Sequence, residues 1–131
     1  MTDVRFSRAA LTLPDGAAGE ELRLIVAGHA GYGEKGRDIV CAAESILVQA
    51  LACGLSAMEP ELLQDFTVEG VAGSGCVGIA AIPRRAGEER VRGLFSGALT
   101  GFALLEAHYP AYVRVVLERQ PDAAGEEKAD A

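Results

Sequence analysis

The chain has 131 residues, a formal net charge of -7, a half-hydrophobic composition, 5% aromatic residues and no tryptophan. That length predicts one domain whose core is built from Leu, Ile, Val and Ala. The acidic balance excludes non-specific nucleic-acid binding, which needs a basic surface, and suits a basic peptide or protein partner. Cys41, Cys53 and Cys76 are an odd count and do not make a disulfide framework. Residues 1–5 carry no basic segment leading into an apolar one, and no uninterrupted apolar stretch approaches membrane-spanning length. A cytoplasmic protein with no membrane partner is expected. A small, Ala-rich core is marginal, so a homodimer that buries more surface is also expected.

In chain order, residues 4–13 predict a first strand and Pro14-Asp15-Gly16 a turn. Residues 22–27 predict a second strand, paired with the first as a hairpin and ending at Gly28-His29. Asp38 suits the N-cap of a helix running to about Cys53, with Gly54 as its stop. Ile39, Ala43, Ile46, Leu47 and Ala50 recur at helical spacing as its buried face. Cys41, Ser45 and Gln49 share another face. After a connector containing Pro60, residues 66–71 and 76–82 predict two strands joined by Gly73-Ser74-Gly75. Residues 84–90 read as a polar loop. Val91, Leu94, Phe95, Ala98, Leu99, Phe102, Leu105 and Tyr109 mark a long amphipathic helix that Pro110 ends. Val113, Val115 and Leu117 alternate as a last short strand. Residues 120–131 are acidic and nearly free of large apolar side chains, a disordered tail after a domain of residues 1–119. The element order predicts an α+β fold: a single small domain with a mainly antiparallel sheet and two helices packed against it.

The stretch richest in chemistry runs from Gly28-His29 to Cys41. A histidine ends an apolar strand, and twelve positions later a cysteine falls in the first turn of a helix. Gly31, Gly33 and Gly36 lie in the loop between. With Asp38 as N-cap, Cys41 occupies the third helical position, beside free amides and the positive end of the helix dipole. A thiolate is favoured there, and its pKa is expected to fall from about 8.5 toward roughly 3.5–7.5 when a cation stands near. The same amides are candidates for an oxyanion hole. Read singly, Cys41 is also a small buried hydrophobe and His29 also a solvated loop residue. Cys53 and Cys76 are expected to pack, and His108 to complement a helix C-terminus. One His and one Cys are too few for zinc, and Gly73-x-Gly75-x-x-Gly78 precedes a strand rather than a helix. No metal and no cofactor is expected.

Gly28-His29-Ala30-Gly31-Tyr32, then Gly36-x-Asp38-Ile39-Val40-Cys41-Ala42-Ala43-x-Ser45, resembles the signature of the bacterial ribosomal-processing cysteine protease family (Prp). The segment from Leu94 to Phe102 and Tyr109-Pro110 resemble that family's second helix and its end. The resemblance runs from about residue 4 to 118. It implies a small α/β sandwich that forms homodimers, with His29 and Cys41 as catalytic pair and Asp38 and Ser45 in support. Read from its glycines, the loop of Gly31, Tyr32, Gly33 and Gly36 is expected to close over the substrate, and the substrate that the resemblance implies is the N-terminal extension of a large-subunit ribosomal protein. Glu44 departs from the pattern, since a smaller apolar residue is more usual there. Two other functions are compatible with parts of the chain. A non-catalytic peptide-binding ribosome-assembly factor would keep the scaffold. A thiol redox sensor would explain Cys41 but not His29.

Overall fold

The computed structural model describes residues 1–71 and 75–119. The strands β1 (Thr2–Thr12) and β2 (Ala18–Ala27) form the expected hairpin, with Asp3 opposite Ala27 and Thr12 opposite Ala18. Asp15 Oδ1 accepts from the Ala17 N–H at 2.9 Å and closes the turn. The second strand starts earlier than its apolar run. Glu20 keeps that polar end in place, bridging Arg8 at 2.7 Å and Arg92 at 2.8 Å.

The helix α1 (Ile39–Ser56) follows, then β3 (Leu63–Val71), β4 (Cys76–Pro83), α2 (Glu88–His108) and β5 (Val113–Arg119). The sheet order is β3-β4-β2-β1-β5. All neighbours are antiparallel except β5, which runs parallel to β1. The predicted α+β class, with one mainly antiparallel sheet and two helices, is the observed one. The predicted turn at Gly73-Ser74 and the tail at 120–131 lie outside the described residues. The predicted polar loop at 84–90 is instead a 3-10 turn at Arg85–Gly87 and the start of α2, where Glu88 and Glu89 suit the positive end of the helix.

One sheet face is apolar by alternation. Val4, Leu22, Leu24, Val26, Val77, Ile79 and Ala81 are buried under the two helices. The helix α2 covers them with Val91, Phe95, Ala98 and Phe102, as its periodicity predicts, and Phe6 and Phe95 meet at 5.8 Å between ring centroids.

The helix α1 departs from its sequence reading in three ways. Its buried residues are Val40, Glu44, Val48, Leu51 and Leu55. Two members of the expected core face, Ile39 and Ile46, are 56% and 61% exposed. The helix also passes through Gly54 to Ser56. Gly54 is a packing position rather than a stop, because a Cβ there would lie 2.7 Å from Leu94 Cδ2 of α2. Finally, the 18 residues of α1 have a mean hydropathy of 1.8, long and apolar enough to cross a membrane by length and composition. The expected absence of any such stretch is thereby corrected. Here that apolarity meets the sheet on one side and α2 on another.

Candidate active site

The fold joins three chain segments at one end of the sheet: the end of β2, the start of β4 and the first turn of α1. Gly28 leaves β2 with φ +92°, and its N–H donates to Gly75 O at 2.7 Å. A Cβ at Gly28 would lie 2.6 Å from Met1 O, so only glycine lets the chain turn there. The next residue, His29, is exposed, and its ring Nε2 lies against Gly75. Ala30 is buried and pins the start of the loop.

Asp38 closes that loop and opens the helix. Its Oδ1 accepts from the amides of Val40 (2.9 Å) and Cys41 (3.0 Å), the predicted N-cap. Its Oδ2 accepts from the amides of Tyr32 (2.9 Å) and Gly33 (3.1 Å). One carboxylate thus fixes the loop and the cysteine turn together. Burial alone would push this carboxyl up, but the amides of Cys41, Gly33 and Tyr32 outweigh it and hold its pKa below the ordinary value.

Cys41 is half-buried on the same turn. Two expectations about it are corrected. The amides of Val40 and Cys41 are taken by Asp38, so they are not free to serve an oxyanion. The thiol is also not held low. Burial pushes it up, and the Asp38 and Glu44 carboxylates add to that, against a lowering hydrogen bond from the Ala30 backbone.

His29, Cys41 and Ser45 are shared by two hollows. A groove of about 540 Å³ is lined also by Gly31, Gly33, Gly36, Lys35 and Asp38. A cavity of about 30 Å³ on the other side includes Glu44 and Cys76 in its wall. The structure therefore brings together His29, Cys41, Asp38, Ser45 and the three loop glycines. It directs Tyr32 elsewhere: the ring packs edge-on against Tyr109 and Tyr112, with centroids at 5.2 Å in each pair. Cys53 and Cys76, expected to pack, are exposed. Gln49 is exposed and lines neither hollow, although it shares the helical spacing of Cys41 and Ser45. Sequence reasoning missed the burial of Glu44, which is 6% exposed. The available signal was an acid with Val40 and Val48 four residues to either side of it on the same helix.

The sequence profile of the family described as cysteine protease Prp matches residues 15–114. This chain belongs to the Prp cysteine protease family. It is a cysteine protease by that membership, and the matched span includes both His29 and Cys41. Among curated proteins, none matches it. Among solved structures, the essential ribosomal processing protease Prp from S. aureus, with a covalently linked product peptide, is 19% identical. That match covers 90% of this chain and 100% of the other, with a TM-score of 0.68. The same S. aureus protease with a substrate peptide gives 19% identity, the same coverages and a TM-score of 0.62. SMU.848 from Streptococcus mutans is 25% identical over 92% of this chain and 99% of its own, with a TM-score of 0.60. These likenesses establish the fold.

Proposed function

We propose that this protease is an endopeptidase that removes a short N-terminal extension from a bacterial large-subunit ribosomal protein, with His29 and Cys41 as its catalytic dyad. The observation that carries this reading is that the two residues share the walls of both hollows, one of them large enough for a peptide. The similar S. aureus protease holds substrate and product peptides, which supports a peptide in the groove here. A net charge of -7 favours a basic ribosomal partner.

His29 takes the Cys41 proton as Sγ attacks the scissile carbonyl. The tetrahedral intermediate collapses to a thioester, and the imidazolium returns its proton to the departing amine. His29 then draws a proton from water, which attacks the thioester; the C–S bond breaks, the peptide leaves as a carboxylate, and the imidazolium returns its proton to Sγ. A thiol with a raised pKa fits proton transfer during attack rather than a standing thiolate. Asp38 supports the pair by fixing the turn that carries Cys41, and Ser45 lines both hollows beside it. The three loop glycines bound the groove and cover bound peptide.

The protein is proposed to act in the cytoplasm, as a homodimer. Ile39 and Ile46, seven residues apart on α1, leave an apolar face uncovered that a second copy would bury. The decisive experiment incubates the chain with the full-length precursor of its own organism's ribosomal protein and reads the new N-terminus by mass spectrometry. Cleavage at one bond, lost in Cys41→Ala, is expected. Binding without cleavage would replace the protease reading with that of a non-catalytic assembly factor.

A further inference from the structure

Glu44 is buried in a place where stability does not call for an acid. It follows Cys41 by one helical turn, on the stripe that Val48, Leu51 and Leu55 continue. Its Oε1 accepts from Thr2 Oγ1 at 3.0 Å. Its Oε2 is buried and has no hydrogen-bond partner among the described residues. A buried carboxyl with one neutral hydrogen bond is costly, and an apolar side chain in that stripe would avoid the cost. Orphaned buried polar atoms are rare and call for an explanation.

The surroundings supply one. Glu44 lines the same 30 Å³ cavity as His29 and Cys41, a volume that admits about one water. His29 has no hydrogen-bond partner among the described residues, so its ring N–H lacks the orienting acceptor that paired histidines use. Asp38 is the other nearby carboxylate, but both its oxygens are occupied by backbone amides. An unpaired acceptor and an unpaired donor therefore share one small cavity.

We propose that Glu44 is the positioning residue of the dyad. Its free Oε2 accepts a hydrogen bond from the His29 ring, directly or through one water, and compensates the imidazolium formed when Cys41 gives up its proton. The inference rests on the dyad assigned above. The titratable groups that share a hollow with His29 are Glu44, Cys41 and Cys76 in the cavity and Asp38 and Lys35 in the groove, and the Met1 amine lies within electrostatic reach of Glu44. Of these, only Glu44 combines a negative charge with a free acceptor. Burial pushes the Glu44 carboxyl up and Asp38 adds to that, moderated by the Thr2 hydroxyl and the Met1 ammonium, so its charge is further favoured when an imidazolium stands in the same cavity. The carboxylate also opposes a standing Cys41 thiolate, which keeps the resting pair neutral until substrate arrives.

The test has two arms. In the first, the His29 ring is titrated by NMR in Cys41→Ala and in Cys41→Ala/Glu44→Gln, where no activity is needed. Loss of a facing carboxylate is expected to lower the His29 pKa by about one unit. Coincident titration curves overturn the proposal. In the second, kcat/KM is followed against pH for wild type and Glu44→Gln. Removing a negative charge beside a coupled pair moves both limbs of the profile to lower pH, whichever residue each limb belongs to. We expect that displacement together with a fall in kcat of about tenfold and KM within about twofold. Limbs that stay in place overturn the proposal, even if the variant melts at a different temperature. Glu44→Ala replaces Glu44→Gln in both arms if the latter fails to fold. If the wild type cleaves no peptide, the dyad reading fails, while the first arm still answers whether Glu44 faces His29.

Discussion

Asp38 is where the fold and the chemistry can be separated by a single atom. It holds four backbone amides, two in the first turn of α1 and two in the loop. Asp38→Ala removes both acceptor oxygens and with them all four hydrogen bonds. Losing the cap costs typically about 1 kcal/mol. Hydrogen bonds to a charged group contribute about 1.5–3 kcal/mol each where they are buried. The amides of Tyr32 and Gly33 belong to exposed residues, and regained water offsets most of their loss. The net cost is then about 2–3 kcal/mol, a fall in melting temperature of about 10 °C for a domain of this size. Asp38→Asn is the sharper perturbation. An asparagine carbonyl can still cap Val40 and Cys41, but its NH2 group would face the donors of Tyr32 and Gly33. We expect Asn to keep more than half of the stability that Ala loses, yet to lose activity nearly as fully, because the loop is released. Calorimetry, turnover of the ribosomal precursor and hydrogen exchange across residues 30–37 read the three quantities. An asparagine variant with wild-type turnover and wild-type loop exchange would refute the argument that one carboxylate ties loop to nucleophile.

The same residue sets a pH dependence. Its folded pKa lies below its unfolded value, so the stability it contributes is complete above the unfolded value of about 3.9. That contribution is lost as pH falls from there through the folded pKa. The stability gap between wild type and Asp38→Ala should therefore be constant near neutrality and close in acid. A gap that widens on acidification would have the wrong sign for a carboxyl held low by amide donors.

Four further outcomes are expected. Cys41→Ala, Cys41→Ser and His29→Ala should each abolish cleavage without lowering the melting temperature by more than about 3 °C, and the double variant should lose no more than either single one. Alkylation must be read peptide by peptide, since exposed Cys53 and Cys76 also react; His29→Ala should change the pH profile at Cys41 alone. Ile46→Glu should convert a dimer to a monomer in sedimentation equilibrium, and unchanged mass would remove α1 from the interface. Amide exchange in residues 30–37 should slow when a tight peptide inhibitor binds, as for a substrate-gated loop; identical exchange in both states would leave the loop outside the mechanism.

What could be read from residues alone follows from contrast between side chains. In α2, Val91, Phe95, Ala98 and Phe102 stand out against charged residues in the first turns and Gly, Ser and Thr beyond, and their spacing gave the buried face correctly. The hairpin of β1 and β2 was equally legible from its turn and its alternation, and the Asp38 cap from its side chain. The helix α1 offered no such contrast. It is apolar nearly all round, so periodicity selected Ile39, Ala43, Ile46, Leu47 and Ala50; of these Leu47 packs against the core, while the fully buried stripe consists of other residues. The site decides which way the helix turns. Cys41, Glu44, Val48, Leu51 and Leu55 follow one another at alternating spacings of three and four, the geometry of a single stripe. The rotation that sets Cys41 in the wall of the hollows also carries Glu44 inward, and it carries Ile39 and Ile46 out to solvent. The buried acid and the uncovered apolar face are thus two consequences of one rotation. Neither is visible in the sequence, because an apolar helix of low contrast leaves its own azimuth open, and the fold sets it by placing Cys41 in the wall of the hollows that His29 also lines.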